Sequence, residues 1–192
     1  MGVRQIEGTD MNNVVLIGFM GCGKSTVGIR LSYRLRRIVE DTDKLIEKHA
    51  GMAISEIFDT KGEEGFRQME TECLKELCMQ TGERIVSTGG GLPMREENRA
   101  LLKKLGCVVY LRISPGCVWE RLKGDSSRPL LQCENPTEKI RTLMEARAEK
   151  YEAAADLIVD VDGKDMEQVV AEILAGLVSH GVIKEQTEEE IK

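Results

Sequence analysis

The sequence predicts an α/β fold in three layers, with a five-stranded parallel sheet between two layers of helices. Two observations support this prediction: short apolar runs alternate with segments of helical periodicity, and the first apolar run ends directly in a glycine-rich loop. Strands that alternate with helices form parallel sheets, because each right-handed crossover returns the chain to the same end of the sheet. Ligands of such sheets bind beyond the carboxyl ends of the strands, so we expect the functional residues there.

Each predicted strand is a short apolar run bounded by polar residues or glycine. The five runs lie at residues 13–17, 37–40, 84–88, 107–113 and 157–160. Helical patterns lie between and after them, near residues 25–36, 42–49, 63–80, 95–105, 114–123, 136–154 and 165–178. We find no internal repeat in this pattern, and no sign of a second domain.

Residues 13–180 are expected to form one domain, preceded by an extension at 1–12 and followed by an acidic tail at 181–192. A chain of 192 residues is long enough to bury a substantial core in a single domain. One internal segment breaks the alternation of strands and helices. Residues 124–136 are polar and contain prolines, which predicts a mobile loop.

The composition argues against several classes of protein. A formal net charge of -6 disfavours a general nucleic-acid binder, which would show a basic face. No apolar run approaches the roughly 20 residues that span a bilayer, and residues 1–10 lack the apolar core of a secretory signal. The six cysteines form no C-x-x-C pair, which favours reduced thiols in a cytoplasmic protein over a zinc site. We therefore expect neither nucleic acid nor membrane as a partner.

The first strand leads into the sequence GFMGCGKST at residues 18–26. The spacing from Gly18 to Gly23, Lys24 and Ser25 is G-x-x-x-x-G-K-[ST], the pattern of a phosphate-binding loop. Glycines in such a loop adopt backbone angles that other residues resist, and they let a ligand approach the main chain closely. The predicted strand before the loop and helix after it are the context that this motif requires. The alternative is a tight turn in an α/β protein that binds no nucleotide.

The second strand ends in an acidic stretch, Glu40-Asp41-Thr42-Asp43. Residues two apart on a strand point to the same side, so Asp41 and Asp43 are expected to face one cavity. One carboxylate beside a phosphate site can hold Mg²⁺ through water, and the other can orient an attacking hydroxyl or accept its proton. The alternative is that Asp41 or Thr42 only caps the helix that follows, and one residue can serve both purposes.

The third strand ends in three consecutive glycines, Gly89, Gly90 and Gly91. Three glycines in a row cost conformational entropy, and they suit a backbone that lies against a small polar ligand. The alternative is a flexible loop. Upstream, Arg67 precedes Glu70 by three residues in a predicted helix, which by itself indicates an ordinary surface pair.

Two further arginines occur late in the chain. Arg128 precedes Pro129 in the proline-marked loop, and Arg147 precedes Tyr151 by four residues, one helical turn. Read singly, each is typical of a solvated side chain.

Taken together, these segments resemble the shikimate kinases, which belong to the nucleoside-monophosphate-kinase-like branch of the phosphate-loop enzymes. The resemblance covers roughly residues 12–170. It rests on the motifs GFMGCGKST at 18–26, DTD at 41–43, FR at 66–67, GGG at 89–91, RPLL at 128–131 and R-x-x-x-Y at 147–151. Their order along the chain makes the resemblance specific, since a phosphate loop alone is common.

The resemblance implies ATP and Mg²⁺ as cofactors and a mobile lid at about residues 124–136. Lys24 would contact the β- and γ-phosphates, Ser25 would ligate magnesium, and Asp41 would hold the metal through water. Two arginines would complete the nucleotide site: Arg128 would close over the phosphates from the lid, and Arg121 would stack on the adenine. The phosphate-loop residues of the nucleotide site would be Gly21, Cys22, Gly23, Lys24, Ser25 and Thr26.

For the acceptor, the resemblance implies shikimate, phosphorylated on a hydroxyl to give shikimate 3-phosphate. Asp43 would hold the attacking hydroxyl and act as a base. Arg67 and Arg147 would clamp the substrate carboxylate beside the amides of Gly89–Gly91. A carboxylate is well held by guanidinium groups, which bind it through two hydrogen bonds at once.

One departure from the family pattern and two alternative functions remain open. Members often carry a further arginine near the adenine after the fifth strand, whereas residues 160–164 of this chain contain none. The first alternative is another small-molecule kinase, similar to gluconate kinase. The second is a nucleotide-binding regulator without catalysis. We expect a monomer.

Overall fold

A computed structural model of the chain describes residues 12–124 and 133–184. It contains one sheet of five parallel strands in the order β2-β3-β1-β4-β5, which confirms the predicted fold class. The strands are β1 (Val14–Ile17), β2 (Ile38–Asp41), β3 (Arg84–Ser87), β4 (Cys107–Arg112) and β5 (Leu157–Asp160). The helices are α1 (Lys24–Leu35), α2 (Thr42–Ala50), α3 (Ile54–Met79), α4 (Glu96–Leu105), α5 (Pro115–Leu122), α6 (Pro136–Ala154) and α7 (Met166–Ser179).

Strand β1 occupies the centre of the sheet, between β3 and β4. Its residue Val15 pairs with Val86 on one side and with Val108 on the other. All four residues of β1 are fully buried, because helices cover both faces of the sheet. This explains why the strand is a continuous apolar run rather than an alternating one.

The core has two parts, one on each face of the sheet. Val14 and Leu16 of β1 belong to the first part, and Val15 and Ile17 belong to the second, as the period of two in a strand requires. Helices α1, α5 and α7 contribute to the first part, and α3 and α4 contribute to the second. In the described part of the chain, no helix is long and apolar enough to cross a bilayer.

Helix α3 is longer than predicted. It begins at Ile54 and is broken at Gly62, where φ is 69° and ψ is 179°; the part after the break agrees with the helix predicted at 63–80, and the part before it was not predicted. Glycine adopts this left-handed φ without the steric penalty of a Cβ atom, so the chain can change direction inside the helix. The second half of α3 carries Arg67 and Glu70.

Several predicted segments lie outside the described residues. These are most of the N-terminal extension, most of the acidic tail, and the centre of the expected lid, including Arg128. The limits of the domain therefore stay a prediction.

Candidate active site

The phosphate-binding loop connects β1 to α1 at the carboxyl edge of the sheet. Gly18, Gly21 and Gly23 have φ values of 145°, 78° and 100°, which side chains with a Cβ rarely adopt. A Cβ on Gly18 would also lie 2.7 Å from the main-chain oxygen of Leu111. The backbone of the loop therefore requires glycine at these three positions. Helix α1 begins at Lys24, so its first N–H groups face the loop, as an anion site needs.

Lys24 places its charge across this loop. Its ammonium donates hydrogen bonds to the main-chain oxygens of Gly18, at 2.7 Å, and Phe19, at 3.2 Å. The ammonium also lies 3.7 Å from the sulfur of Cys22, which is almost fully buried. The cation is thus held at the place where phosphate oxygens would bind.

A cavity of about 490 Å³ opens over the loop. It lies where β1, β2 and β3 end, as the rule for parallel sheets predicts. Most of the predicted nucleotide and acceptor residues line it together: Gly21, Gly23, Lys24, Ser25, Thr26, Asp41, Asp43, Gly89, Gly90 and Arg121.

Asp41 and Asp43 reach the cavity by a different route from the expected one. Asp41 is the last residue of β2, but Asp43 lies in the first turn of α2, so strand alternation was the wrong reason. Asp41 is the N-cap of α2, and its Oδ1 accepts hydrogen bonds from the N–H groups of Asp43, at 3.0 Å, and Lys44, at 3.4 Å. Asp41 therefore does cap the helix, as the alternative predicted for this residue. Both bonds end on Oδ1, so capping does not use Oδ2.

The three-glycine loop after β3 packs against Asp43. A Cβ on Gly89 would lie 2.7 Å from Oδ1 of Asp43 and 3.1 Å from Oε1 of Glu70. Gly89 also donates its N–H to the hydroxyl of the fully buried Thr42, at 3.0 Å. The close approach of two carboxylates requires a residue without a side chain at this position, so the loop is not simply a flexible connection.

Glu70 is a site residue that the sequence did not indicate. Its side chain is only 1% exposed, and its Oε2 accepts a hydrogen bond from Nη1 of Arg67 at 3.0 Å. Nη2 of Arg67 binds Glu63 at 2.9 Å. Burial raises the pKa of the Glu70 carboxyl, and the charge of Asp43 raises it further, while Arg67 acts in the opposite direction. The expected ordinary surface pair is in fact buried beside Asp43.

Burial alone would lower the pKa of Arg67, but its two carboxylate partners raise the pKa above the ordinary value. The arginine therefore remains a fixed cation next to the glycine loop. A Cβ on Gly91 would lie 2.2 Å from its Nη1, so the guanidinium lies directly on the backbone of Gly91.

Arg147 of α6 contacts the phosphate-binding loop. Its Cζ lies 5.6 Å from the ring centroid of Phe19, in the geometry of a cation–π contact. Four residues later, the hydroxyl of Tyr151 donates a hydrogen bond to the main-chain oxygen of Gly90. Neither Arg67 nor Arg147 belongs to the lining of the described cavity. Arg67 lies against Gly91 of the glycine loop, and Arg147 lies over Phe19 of the phosphate-binding loop.

Arg121 lies on the opposite side of the cavity, in the last turn of α5. Its Nη1 donates a hydrogen bond to the main-chain oxygen of Gly21 at 3.0 Å. The same side chain lines a small adjoining cleft with Lys164, Asp165 and Met166. Residues from the segment after β5 therefore do lie near Arg121, although none is the arginine that the family pattern often has.

The donor set at the cavity fits magnesium. Ser25 and Asp41 supply a hydroxyl and a carboxylate oxygen, and Mg²⁺ typically takes few protein ligands beside water and phosphate oxygens. Within residues 12–124 and 133–184, no group of three or more Cys, His, Asp or Glu side chains forms a metal site by itself. A site completed by the nucleotide is consistent with both facts.

A family model for shikimate kinase matches residues 20–178, which is most of the chain. The chain belongs to the shikimate kinase family. Among curated proteins, it is 46% identical to a shikimate kinase of Thioalkalivibrio sulfidiphilus over 86% of both chains. It is 47% identical to a shikimate kinase of Geobacter sulfurreducens, over 90% of this chain and 94% of the relative.

Solved structures agree with this family assignment. Shikimate kinase from Acinetobacter baumannii in complex with shikimate superposes with a TM-score of 0.80 at 38% identity, over 88% of this chain and 93% of that one. A gluconokinase from Sinorhizobium meliloti gives a TM-score of 0.55 at 18% identity, with 88% and 92% covered. At that identity the second comparison shows a shared fold alone, so the gluconate alternative gains no support from it.

Proposed function

We propose that this shikimate kinase family member transfers the γ-phosphoryl group of ATP to a hydroxyl of shikimate, giving shikimate 3-phosphate and ADP. The observation that carries the proposal is the position of Asp43, which lines one cavity together with Lys24 and the phosphate-binding loop. Phosphoryl transfer requires alignment of the two substrates and positive charge around the moving group, and both can be supplied at such a junction.

The phosphate loop and α1 form the nucleotide half of the proposed site. Main-chain N–H groups of residues 21–26 would bind the phosphates, and the ammonium of Lys24 would exchange its carbonyl contacts for the β- and γ-phosphate oxygens. Ser25 would hold Mg²⁺ directly and Asp41 would hold it through water. The ion, when bound, neutralises charge on the phosphates. Arg121 would stack on the adenine, and Arg128 would reach the phosphates from the lid.

Asp43 and the glycine loop form the acceptor half. The carboxylate of Asp43 would accept the hydrogen bond of the attacking hydroxyl and take its proton as the oxygen bonds to phosphorus. Arg67 and Arg147 would bind the carboxylate of shikimate, next to the amides of Gly89–Gly91. Glu63 and Glu70 support this assignment, because both hydrogen-bond to the Arg67 guanidinium and restrict its orientation.

The experiment is a coupled assay of ADP release with ATP, Mg²⁺ and either shikimate or gluconate. We expect ADP release when shikimate is the acceptor and none when gluconate is. Lys24→Met and Asp43→Asn should each reduce kcat by at least about 100-fold, the scale of one lost general base or transition-state charge, with circular dichroism unchanged. Turnover with gluconate alone would favour the first alternative, and ATP binding without any turnover would favour the regulator.

Two accompanying proposals concern the state of the protein. We propose that the chain acts as a monomer, because both halves of the site come from one chain, and that it acts in the cytoplasm, because the cysteines of the described residues form no disulfide. Sedimentation of the active protein tests the first point: a dimer at assay concentrations would contradict it.

A further inference from the structure

Tyr151, the last residue of the R-x-x-x-Y motif, has no role in the function proposed so far. It lies on α6 with 1% of its surface exposed, in the core part that covers the second face of the sheet. A buried phenol needs a hydrogen-bond partner, since an unpaired hydroxyl in an apolar core costs free energy. The partners of this hydroxyl indicate what the residue does.

The first partner is the glycine loop. The Tyr151 hydroxyl donates a hydrogen bond of 2.5 Å to the main-chain oxygen of Gly90. The ring is fixed by stacking on Tyr110 of β4, with centroids 5.0 Å apart and planes at 17°. Tyr110 of β4 thus fixes the Tyr151 ring, and the Tyr151 hydroxyl in turn holds the Gly90 carbonyl.

Arg147 is the second group that acts on this hydroxyl. Residues four apart lie on the same face of a helix, so Arg147 and Tyr151 project from one side of α6. Burial raises the pKa of the Tyr151 phenol, while the positive charge of Arg147 acts in the opposite direction. The phenol is protonated at neutral pH, and a phenol oxygen can donate one hydrogen bond and accept another.

We propose that Tyr151 is a positioning residue for the acceptor: its hydroxyl joins the Gly90 carbonyl to the Arg147 guanidinium and so fixes the arginine beside the glycine loop. The inference rests on the proposed role of Arg147 in binding the shikimate carboxylate. Arg147 also has the Phe19 ring below it, at 5.6 Å from Cζ, but a ring face does not select one orientation of the guanidinium. A directed hydrogen bond from Arg147 to the Tyr151 hydroxyl, as proposed, would supply that selection.

The test is Tyr151→Phe, which keeps the stacked ring and removes only the hydroxyl. We expect KM for shikimate to rise about 5- to 20-fold, the effect of losing one buried hydrogen-bonding group. KM for ATP should stay within about twofold, because the Tyr151 contacts lie on the acceptor side. Tyr110→Phe is the matched control. It keeps the same stack, and among the described hydrogen bonds the Tyr110 hydroxyl makes none with Gly90, whereas the Tyr151 hydroxyl does, so Tyr110→Phe should leave both KM values unchanged.

A double-variant cycle separates positioning from general stability. If Tyr151 acts through Arg147, then Tyr151→Phe should change KM for shikimate by less than about twofold in an Arg147→Ala background. Independent, multiplying effects would overturn the inference, as would equal losses for ATP and shikimate. The proposed function fails separately: it falls if the unmodified protein does not phosphorylate shikimate, whereas a normal Tyr151→Phe enzyme refutes only the positioning role.

Discussion

At the scale of single residues, Glu70 connects the proposed acceptor-binding cation to the proposed base. Its carboxylate holds Arg67 at 3.0 Å and lies against Gly89, on the side where Asp43 approaches the same glycine. Two carboxylates in a poorly hydrated position repel each other, and the positive charges of Arg67 and Arg95 offset part of this cost at Glu70. The same buried arrangement makes Glu70 a group whose ionisation opposes folding.

This leads to a prediction for the pH dependence of stability. The pKa of Glu70 is raised in the folded state, so between the unfolded value near 4.5 and the folded value the native state binds more protons than the unfolded one. The contribution of Glu70 to stability is therefore present at low pH and is lost as pH rises through that window. Glu70→Gln cannot lose this contribution. The free energy of unfolding of the variant, minus that of the unmodified protein, should therefore increase between pH 4 and pH 7.

Urea unfolding at several pH values measures the difference. Glu138→Gln removes an exposed carboxylate that is also three residues from an arginine, Arg141, and serves as the control for losing one acidic partner. A relative stability of Glu70→Gln that falls as the pH rises would contradict the assigned burial of Glu70.

The comparison of these two pairs also shows what the sequence could not predict. Arg67 with Glu70 and Glu138 with Arg141 have the same spacing, yet the Glu70 side chain is 1% exposed and the Glu138 side chain 51%. Spacing on a helix states only that two side chains can meet. Whether they are buried depends on what packs over them, here the glycine loop, which is distant in sequence.

At the scale of elements, the strands were predictable and the details at their ends were not. All five predicted strands agree with the structure to within about one residue. Strands β1, β3 and β4 are almost wholly buried, as strands covered on both faces are, whereas the edge strands β2 and β5 are partly exposed. Two details were not predicted. Helix α2 follows β2 without a linker, so Asp43 is helical, and a helical part from Ile54 precedes the break at Gly62 in α3. Such junctions depend on tertiary packing more than on local propensity.

The packing of the glycine loop on α3 gives an element-scale prediction. Gly91 has φ of -92° and ψ of -12°, a conformation that alanine adopts easily, so the backbone does not forbid a substitution. The added Cβ of Gly91→Ala would, however, lie 2.2 Å from Nη1 of Arg67 and must displace the guanidinium. We expect KM for shikimate to rise at least about 10-fold, as for loss of a charged hydrogen bond, with KM for ATP unchanged.

Steady-state kinetics of Gly91→Ala and Gly116→Ala measure this effect. Gly116 lies in α5, and a Cβ there would meet nothing within 4 Å, so it tests the same chemical change in open space. An unaltered shikimate KM in Gly91→Ala would show that the position of Arg67 does not matter for the acceptor.

At the scale of the whole molecule, the proposed site divides between elements that are interleaved along the chain. The phosphate loop, Arg121, the start of α2 and the glycine loop line the cavity together, while α3 and α6 carry Arg67 and Arg147, which we propose bind the acceptor. The order of motifs was sufficient to predict this assembly, since parallel strands bring their carboxyl ends to one edge. The buried partners, Glu70 and the Tyr151 hydroxyl, emerge only from the packing of α3 and α6 around the loop.

Because the acceptor groups come from α2, α3 and α6, shikimate should stabilise the whole fold rather than one segment. A ligand at 100 times its Kd adds about 2.7 kcal/mol to the free energy of unfolding, which for a chain of this size raises Tm by roughly 5–11 °C.

Arg147→Ala should lose most of the Tm increase from shikimate at the same concentration and keep the increase from ATP and Mg²⁺. Arg141→Ala, on the exposed part of the same helix, should keep both increases. Scanning calorimetry with each ligand alone gives the result. Equal loss of both increases in Arg147→Ala would mean that this arginine supports the fold in general, and that the carboxylate of shikimate is recognised elsewhere.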